Sequence, residues 1–546
     1  MIAPSLYAAL LLVQTFTDVT GHAGLAGYTH HNGAYGAKFL PETMGPGCAF
    51  LDYDNDGWLD ILLVDGQPWP GKLASTHSSI RLYRNTRDGR FIEATKLARL
   101  DANFYAMGVA TADFDNDGYP DLYITAVGQN RLYRNTGNGA FEDVTNKAAL
   151  DKRDAFSTSA LWFDYDRDGH LDLFVANYVR WSAKNDVYCS LDGKTKSYCT
   201  PEAYRGSTSW LFHNRGNGTF EDVTGKSGIF DTSSKSLGVA MLDFDNDHWP
   251  DLFVANDTQP NKLYRNNRDG TFRESAVALG VAFSEDGRAR AGMGVDAGDF
   301  LNNGKPGIAV TNFDNEKLGL YQLANVFTDV AMASGIGAAT RNTLGFACFF
   351  ADLDNDGLLD LLTVNGHIDG SVRNLGKGVQ HAQPTQLFHN LGNGKFRDVA
   401  TAPLSTPKIG RGAAYGDFDN DGDLDLLITT NGGPAFLYRN DQKQNGSIRL
   451  RLEGRPGKSN RDAIGAQVRL VDSGQTQMVK TGSSYLSSSE KTLIFGLGTS
   501  KQARKIAVQW PSGATQEFTN LTAGKDYRLT EGSQIVAPIN RSLSRP

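Results

Sequence analysis

The chain has 546 residues, a formal net charge of −7, 40 % hydrophobic residues, 60 glycines and four cysteines. That length calls for several domains or one large repeat array, and the apolar share is enough to fill a core. No basic block suggests nucleic acid, and no later run of 18 apolar residues reads as a membrane span.

In chain order, the apolar run Leu6–Val13 comes first. It reads as the core of a signal peptide over residues 1–15, although no Lys or Arg precedes it. Phe16-Thr17-Asp18-Val19-Thr20 follows, and from there three signals recur in fixed order. The first is a D-x-D-x-D-G-x-x-D loop between two apolar strands, with copies starting at Asp52, Asp113, Asp164, Asp243, Asp299, Asp352 and Asp417. The second is a strand ending L-[YF]-x-N, as in Leu82–Asn85, Leu132–Asn135, Leu211–Asn214, Leu263–Asn266, Leu387–Asn390 and Leu437–Asn440, with Leu320-Tyr321 a degraded copy. The third is F-x-[DE]-x-[TA] after a Gly-containing turn: Phe91–Thr95, Phe141–Thr145, Phe220–Thr224, Phe272–Ala276, Phe327–Ala331 and Phe396–Ala400. Alternating apolar residues between Gly/Asn/Asp turns are β-hairpins.

The loops carry the chemistry. A hard divalent cation takes six to eight oxygens, and alternating carboxylates on a tight turn converge on one point. Glycine at the sixth position takes φ > 0 without a Cβ penalty. Five loops keep every acid: Asp52, Asp54, Asp56 and Asp60; Asp113, Asp115, Asp117 and Asp121; Asp164, Asp166, Asp168 and Asp172; Asp352, Asp354, Asp356 and Asp360; Asp417, Asp419, Asp421 and Asp425. The fourth loop keeps Asp243, Asp245, Asp247 and Asp251 but has His248 for glycine, so it is expected to bind less tightly. The loop at Asp299 has Leu301, Asn303 and Gly307 where acids belong, and is expected to keep its turn without an ion. Bound divalent ions would bring the net charge above zero, so the acidity is local to the loops.

The third signal follows only six of the seven loops, and the seventh copy stands first, at Phe16–Thr20. A linear array has no use for that order, whereas a ring does, because the first strand completes the last sheet and removes a bare edge. The predicted fold is all-β: a seven-bladed β-propeller over residues 16–441, closed by the N-terminal strand. At about 61 residues per repeat it exceeds the usual 40–50, the excess lying in insertions. These span Gln67–Ser79, Tyr178–Ser209 and His367–Pro384, and are expected on one face, where binding loops sit. The second carries Cys189 and Cys199, spaced for a disulfide, with Trp181, Tyr188, Tyr198 and Tyr204. Cys48 and Cys348 hold equivalent repeat positions and read as buried free thiols. Residues 442–532 read as a small second β domain, and 533–546 as a disordered tail.

The repeats resemble FG-GAP/VCBS repeats, the units of integrin α-subunit propellers; Gly108 to Thr145 carries the resemblance throughout. Residues Ser459–Ala466, Phe495–Gly498 and Trp510–Gly513 resemble the ASPIC/UnbV domain, implying a sandwich-like module. The first resemblance implies Ca2+ in the loops. It adds the seventh-position carbonyl to the ligands, namely those of Trp58, Tyr119, His170, Trp249, Leu358 and Asp423. Magnesium is disfavoured because it keeps its waters and demands octahedral geometry. The reading is an exported protein, extracellular, periplasmic or at the cell surface, that binds a protein or glycan partner, with calcium as a staple. The alternative is an enzyme working in a central funnel. There His31, Glu42, Arg290, Arg341 and Arg411 would receive a small anionic ligand.

Overall fold

The computed structural model describes residues 16–72, 77–190, 192–371, 378–442 and 445–538. The signal-peptide reading for residues 1–15 lies outside them, as do parts of two insertions (73–76 and 372–377) and tail residues 539–546. The described chain is all-β apart from short helical turns. No helix among the described residues is long and apolar enough to cross a membrane.

Seven four-stranded antiparallel units follow one another. The first comprises Cys48–Leu51, Asp60–Val64, Ile80–Asn85 and Phe91–Glu93. In every unit the Asp loop joins the first two strands, the L-[YF]-x-N signal makes the third, and the F-x-[DE] signal makes the fourth. The last unit takes its fourth strand from the chain start: Phe16–Asp18 pairs antiparallel with Phe436–Asn440, Phe16 opposite Asn440. The second and third units are also joined, through Ala155 and Phe156 against Gly128 and Val127. First strands are buried along almost their whole length, as strands covered on both faces are. Each packs on the next, and Gly410–Gly416 of the last unit packs on Cys48–Leu51 of the first, so the contacts return to their start.

Asparagines tie neighbours together. In every unit but the fifth, whose third strand ends in Leu323, the residue ending that strand is an asparagine that sends its Nδ2 to the carbonyl of the second loop position in the preceding unit: Asn135 to Tyr53, Asn214 to Phe114, Asn266 to Tyr165, Asn390 to Phe300 and Asn440 to Leu353. Asn85 of the first unit reaches Phe418 of the last, 2.9 Å away. A second set stands at the fourth loop position with φ between +52° and +61°, a conformation asparagine tolerates. Asn55, Asn116, Asn246, Asn302 and Asn355 each donate to the sixth-position carbonyl of the next loop. Asn420 donates to Gly57, again from last unit to first.

The C-terminal region forms two four-stranded sheets. One contains Gly446–Glu453 between Leu493–Gly498 and a parallel partner, Lys525–Thr530. The other contains Gln467–Leu470 and Gln502–Gln509. Ile448, Leu450, Val468, Phe495, Ile506 and Phe518 share one core. Sequence reading missed Lys525–Thr530, whose inward residues are only Tyr527 and Leu529. The expectation of disorder from 533 is corrected: Ala537–Pro538 pairs with Tyr527 and Arg528.

This region is not appended beside the seven units. It lies across the Asp-loop side and sends residues 480–490 into the space between the first strands. Thr481 exchanges hydrogen bonds with Trp162, the Ser484 carbonyl accepts from Val295, and that of Leu486 accepts from Val109. Ser488 bridges to Ala49, Ser484 donates to Ala413, and Gly482 packs on Val239 and Leu161. The Tyr485 ring meets Phe346 at 5.1 Å, and its hydroxyl donates to Met44. All seven units therefore touch this plug.

Candidate metal centres

One hydrogen-bond pattern builds all seven loops. The first-position carboxylate accepts the backbone N–H of the fifth and sixth residues, as Asp113 does from Asp117 and Gly118 at 2.9 and 2.7 Å. Asp299 does the same for Asn303 and Gly304. That turn-forming task accounts for an acid surviving at Asp299 where the other three are lost. The ninth-position carboxylate accepts from the second residue and from the strand-end asparagine, as Asp121 does from Phe114 and Asn135. Glycine at the sixth position takes φ of +87° to +99° in the five full loops, and His248 takes +68°, as its residue type allows.

The carboxylates converge. Asp52, Asp54 and Asp60 offer oxygens within 4.8 Å of one another, as do Asp113, Asp115 and Asp121, and Asp164, Asp166 and Asp168. Third-position oxygens stand without partners: Oδ1 of Asp54, Asp166 and Asp245 are buried and make no hydrogen bond among the described residues. A buried carboxylate oxygen left bare is costly, and a hard cation at the focus would satisfy it. The donors are carboxylate oxygens, with an imidazole nitrogen of His213 or His389 beside two of the foci, and a set so rich in oxygen suits calcium; the residues fit the ion. The seventh-position carbonyl of Trp58, Tyr119, His170, Trp249, Leu358 and Asp423 belongs to the same turn, after the residue with positive φ.

Sequence reading left the neighbouring bases without a role. Arg134, in the second unit's L-Y-R-N strand, bonds Asp115 and Asp117; Arg265 bonds Asp245. Arg87 and Arg268, in the following turns, hold Asp56 and Asp247. His213 and His389 stand where the other units have this arginine. His213 lies 3.2 Å from Asp172 and His389 3.1 Å from Asp360. Those carboxylates push both imidazoles up to about 9, toward the charge the arginines carry. The signal was the recurring base before each strand-end asparagine.

Burial, with like charges nearby, pushes the loop carboxyls upward: Asp52 to about 6, Asp113 to about 7, Asp423 to about 8. A carboxyl raised above its unfolded value of about 4 holds its proton more tightly when folded. The cation-free fold is therefore favoured at low pH and loses stability as pH rises through roughly 6 to 8. In EDTA the melting temperature should fall between about pH 5 and pH 8, while saturating calcium should remove that fall. A melting scan at matched ionic strength checks this; a cation-free protein most stable at the alkaline end contradicts it.

The C-terminal region sits on these loops. Arg449 reaches Asp417 and Glu490 in a buried ion group, Gln467 Nε2 donates to Asp243 at 2.8 Å, and Gly496 N–H donates to Asp352 at 3.1 Å. The Asp462 carboxylate accepts from the backbone of Asp113. Arg167, at the fourth position of the third loop, turns to the Pro511 carbonyl, so that loop lacks the asparagine link.

The opposite face corrects the funnel expectation. Arg411 is fully buried, with its guanidinium on the carbonyls of Thr43, Gly366, Gly410 and His367, 3.9 Å from the Phe346 ring centre. Arg290 pairs with Glu285 and Asp329, and Arg341 is exposed. His31 pairs with Asp65, and Glu42 accepts from Trp69 and Tyr198. Four of these groups are therefore taken up by local partners, and Arg341 lies exposed. The insertions do gather on this face: Trp69 stacks against Tyr105 and meets Trp181 at 5.1 Å. Trp181 and Tyr204 are buried there, not an exposed patch. Cys189–Cys199 is disulfide-bonded, and Cys48 and Cys348 are buried free thiols.

A family model described as FG-GAP-like repeat matches residues 52–124, 115–175, 185–254, 243–310 and 378–428, together more than half of the chain. A model described as ASPIC and UnbV matches residues 455–536. The chain is similar to cartilage acidic protein 1 of Homo sapiens, with 26 % identity over 503 residues, covering 87 % of this chain and 70 % of that protein. The Mus musculus protein of that name gives 26 % over 503 residues, covering 87 % and 71 %. A solved structure described as specific recognition of non-reducing terminal N-acetylglucosamine by an Agrocybe aegerita lectin is 15 % identical. It covers 71 % of this chain and 87 % of that one, with a TM-score of 0.40.

Proposed function

The chain belongs to the FG-GAP-like repeat family, and from that premise we propose an exported, calcium-stapled binding or scaffolding protein on a closed seven-bladed β-propeller. The asparagine links from last unit to first support closure, because each spans the seam between chain ends of the ring. One observation carries the calcium reading: buried third-position oxygens without partners, in loops whose carboxylates converge. In this reading the six four-carboxylate loops each hold Ca2+, with Asp243 the weakest, and the Asp299 loop holds none. The ions neutralise the loop charge and stiffen the surface that receives the C-terminal region.

A binding role is supported by what the ring does with its centre. Residues 480–490 fill it, and the charged groups that an enzyme in the funnel would need are dispersed. Export is supported by the disulfide, which persists in oxidising compartments. A protein or glycan partner would meet the insertion face. Isothermal titration with calcium, after removal of bound metal, tests the reading. One ion per four-carboxylate loop is expected, with Asp54→Asn losing a single site. Absence of binding at millimolar calcium would sink it.

A further inference from the structure

On the face opposite the Asp loops lies a cavity of about 240 Å³. Its floor is the end of the plugged centre: Met44, whose carbonyl accepts from Tyr485, and Phe346, whose ring packs on Tyr485. Its rim includes Cys199–Glu202, part of the insertion anchored by the disulfide. Met293 and Phe313 add apolar wall.

The charged groups lining it are Glu202, Asp257 and Glu316; no basic side chain lines it among the described residues. Asp257 is only 7 % exposed. Its Oδ2 accepts from Tyr178 at 2.5 Å. Burial, with Glu316 and Glu202 nearby, pushes its carboxyl up to about 7. Glu316 accepts the Ala291 N–H at 2.8 Å with one oxygen. The nearest bases do not line the cavity: Lys235 donates to the Pro201 carbonyl while its charge partly offsets Asp257, and Arg290 pairs with Glu285 and Asp329.

Three carboxylates therefore face the cavity while the nearest cations, Lys235 and Arg290, stay outside its lining, and a cationic guest would offset the remaining buried negative charge. A bare metal ion does not suit, because it wants six to eight oxygens and most of this wall is carbon. An anion meets only carboxylates. We propose that this cavity binds a small organic cation, an ammonium group on an apolar or aromatic body, anchored by Asp257 and Glu316. The aromatic walls suit such a body and add attraction to the cation's face. The site stands at the far ends of the strands from the Asp loops and does not depend on what those loops hold.

The test is calorimetric titration of the full-length protein in calcium buffer with phenethylammonium, 2-phenylethanol and phenylacetate. Phenethylammonium should bind, the neutral alcohol about tenfold or more weaker, and phenylacetate without measurable heat. Asp257→Asn should weaken the ammonium about tenfold or more, and Glu316→Gln by a smaller factor. Melting curves identify a variant that fails to fold, and the three-probe comparison on the unaltered protein stands regardless. Equal affinity for alcohol and ammonium, no ammonium binding at millimolar concentration, or unchanged affinity in both folded variants would overturn the proposal.

Discussion

Chelating calcium from the full-length protein is expected to lower its melting temperature by on the order of 20 °C. At calcium about 100-fold above the dissociation constant, each site contributes about 2.7 kcal/mol. Six such sites together rival the roughly 5–15 kcal/mol that keeps a whole domain folded. A chain this long shifts by about 2 °C or less per kcal/mol, which sets the size of the drop. Two substitutions separate cation binding from turn building. Asp54→Asn alters a third-position group whose Oδ1 makes no hydrogen bond among the described residues, so it should shrink the calcium-dependent shift and leave the EDTA melt nearly unchanged. Asp299→Asn weakens a group that holds two backbone N–H groups in a loop expected to carry no ion. It should lower both melts alike. Identical melts in calcium and EDTA would remove the staple role.

The second large effect is expected at the plug. Gly47 is a residue whose Cβ, if present, would lie 1.9 Å from the carbonyl oxygen of Leu486. That oxygen is held by the Val109 N–H at 3.0 Å, and Ser488 by the Phe50 and Cys48 backbone, so the segment has no slack to retreat into. Gly47→Ala should therefore displace residues 484–488 and cost about 1–3 kcal/mol or more, the range for overpacking. Hydrogen exchange at Val109, Phe50 and Ser488 should accelerate with it. Gly27→Ala is the matching control, because nothing lies within 4 Å of its Cβ; it should melt like the unaltered protein. If Gly47→Ala keeps the original melt and exchange protection, the centre is not tightly filled.

The repeat architecture was legible because each element carries a local signature. Turn acids, strand-end asparagines and short aromatic strands recur at fixed order, and the displaced Phe16–Thr20 copy announces where the last sheet finds its fourth strand. Positions of the acids were legible for the same reason. The plug was not: Ser483–Ser489 is a short polar run with Tyr485 and Leu486, and polarity alone reads as an exposed loop. Its hydroxyls and backbone instead meet strand edges buried by the ring, a partnership set by contacts more than 300 residues apart in sequence, as between Trp162 and Thr481. The arginine funnel failed on the same ground. Sequence places Arg290 and Arg411 before first strands, but the carbonyls that absorb Arg411 come from separate loops. The Asp257–Tyr178 cavity joins residues that follow strands of different units, with no motif to mark them.

Crystals grown in calcium, with an anomalous difference map collected near a calcium-sensitive wavelength, test the central claim most directly. Peaks are expected at the carboxylate foci of the loops beginning at Asp52, Asp113, Asp164, Asp352 and Asp417, a weaker one at Asp243, and none at Asp299. Empty foci at the five full loops, or a peak at Asp299 as strong as theirs, would contradict it.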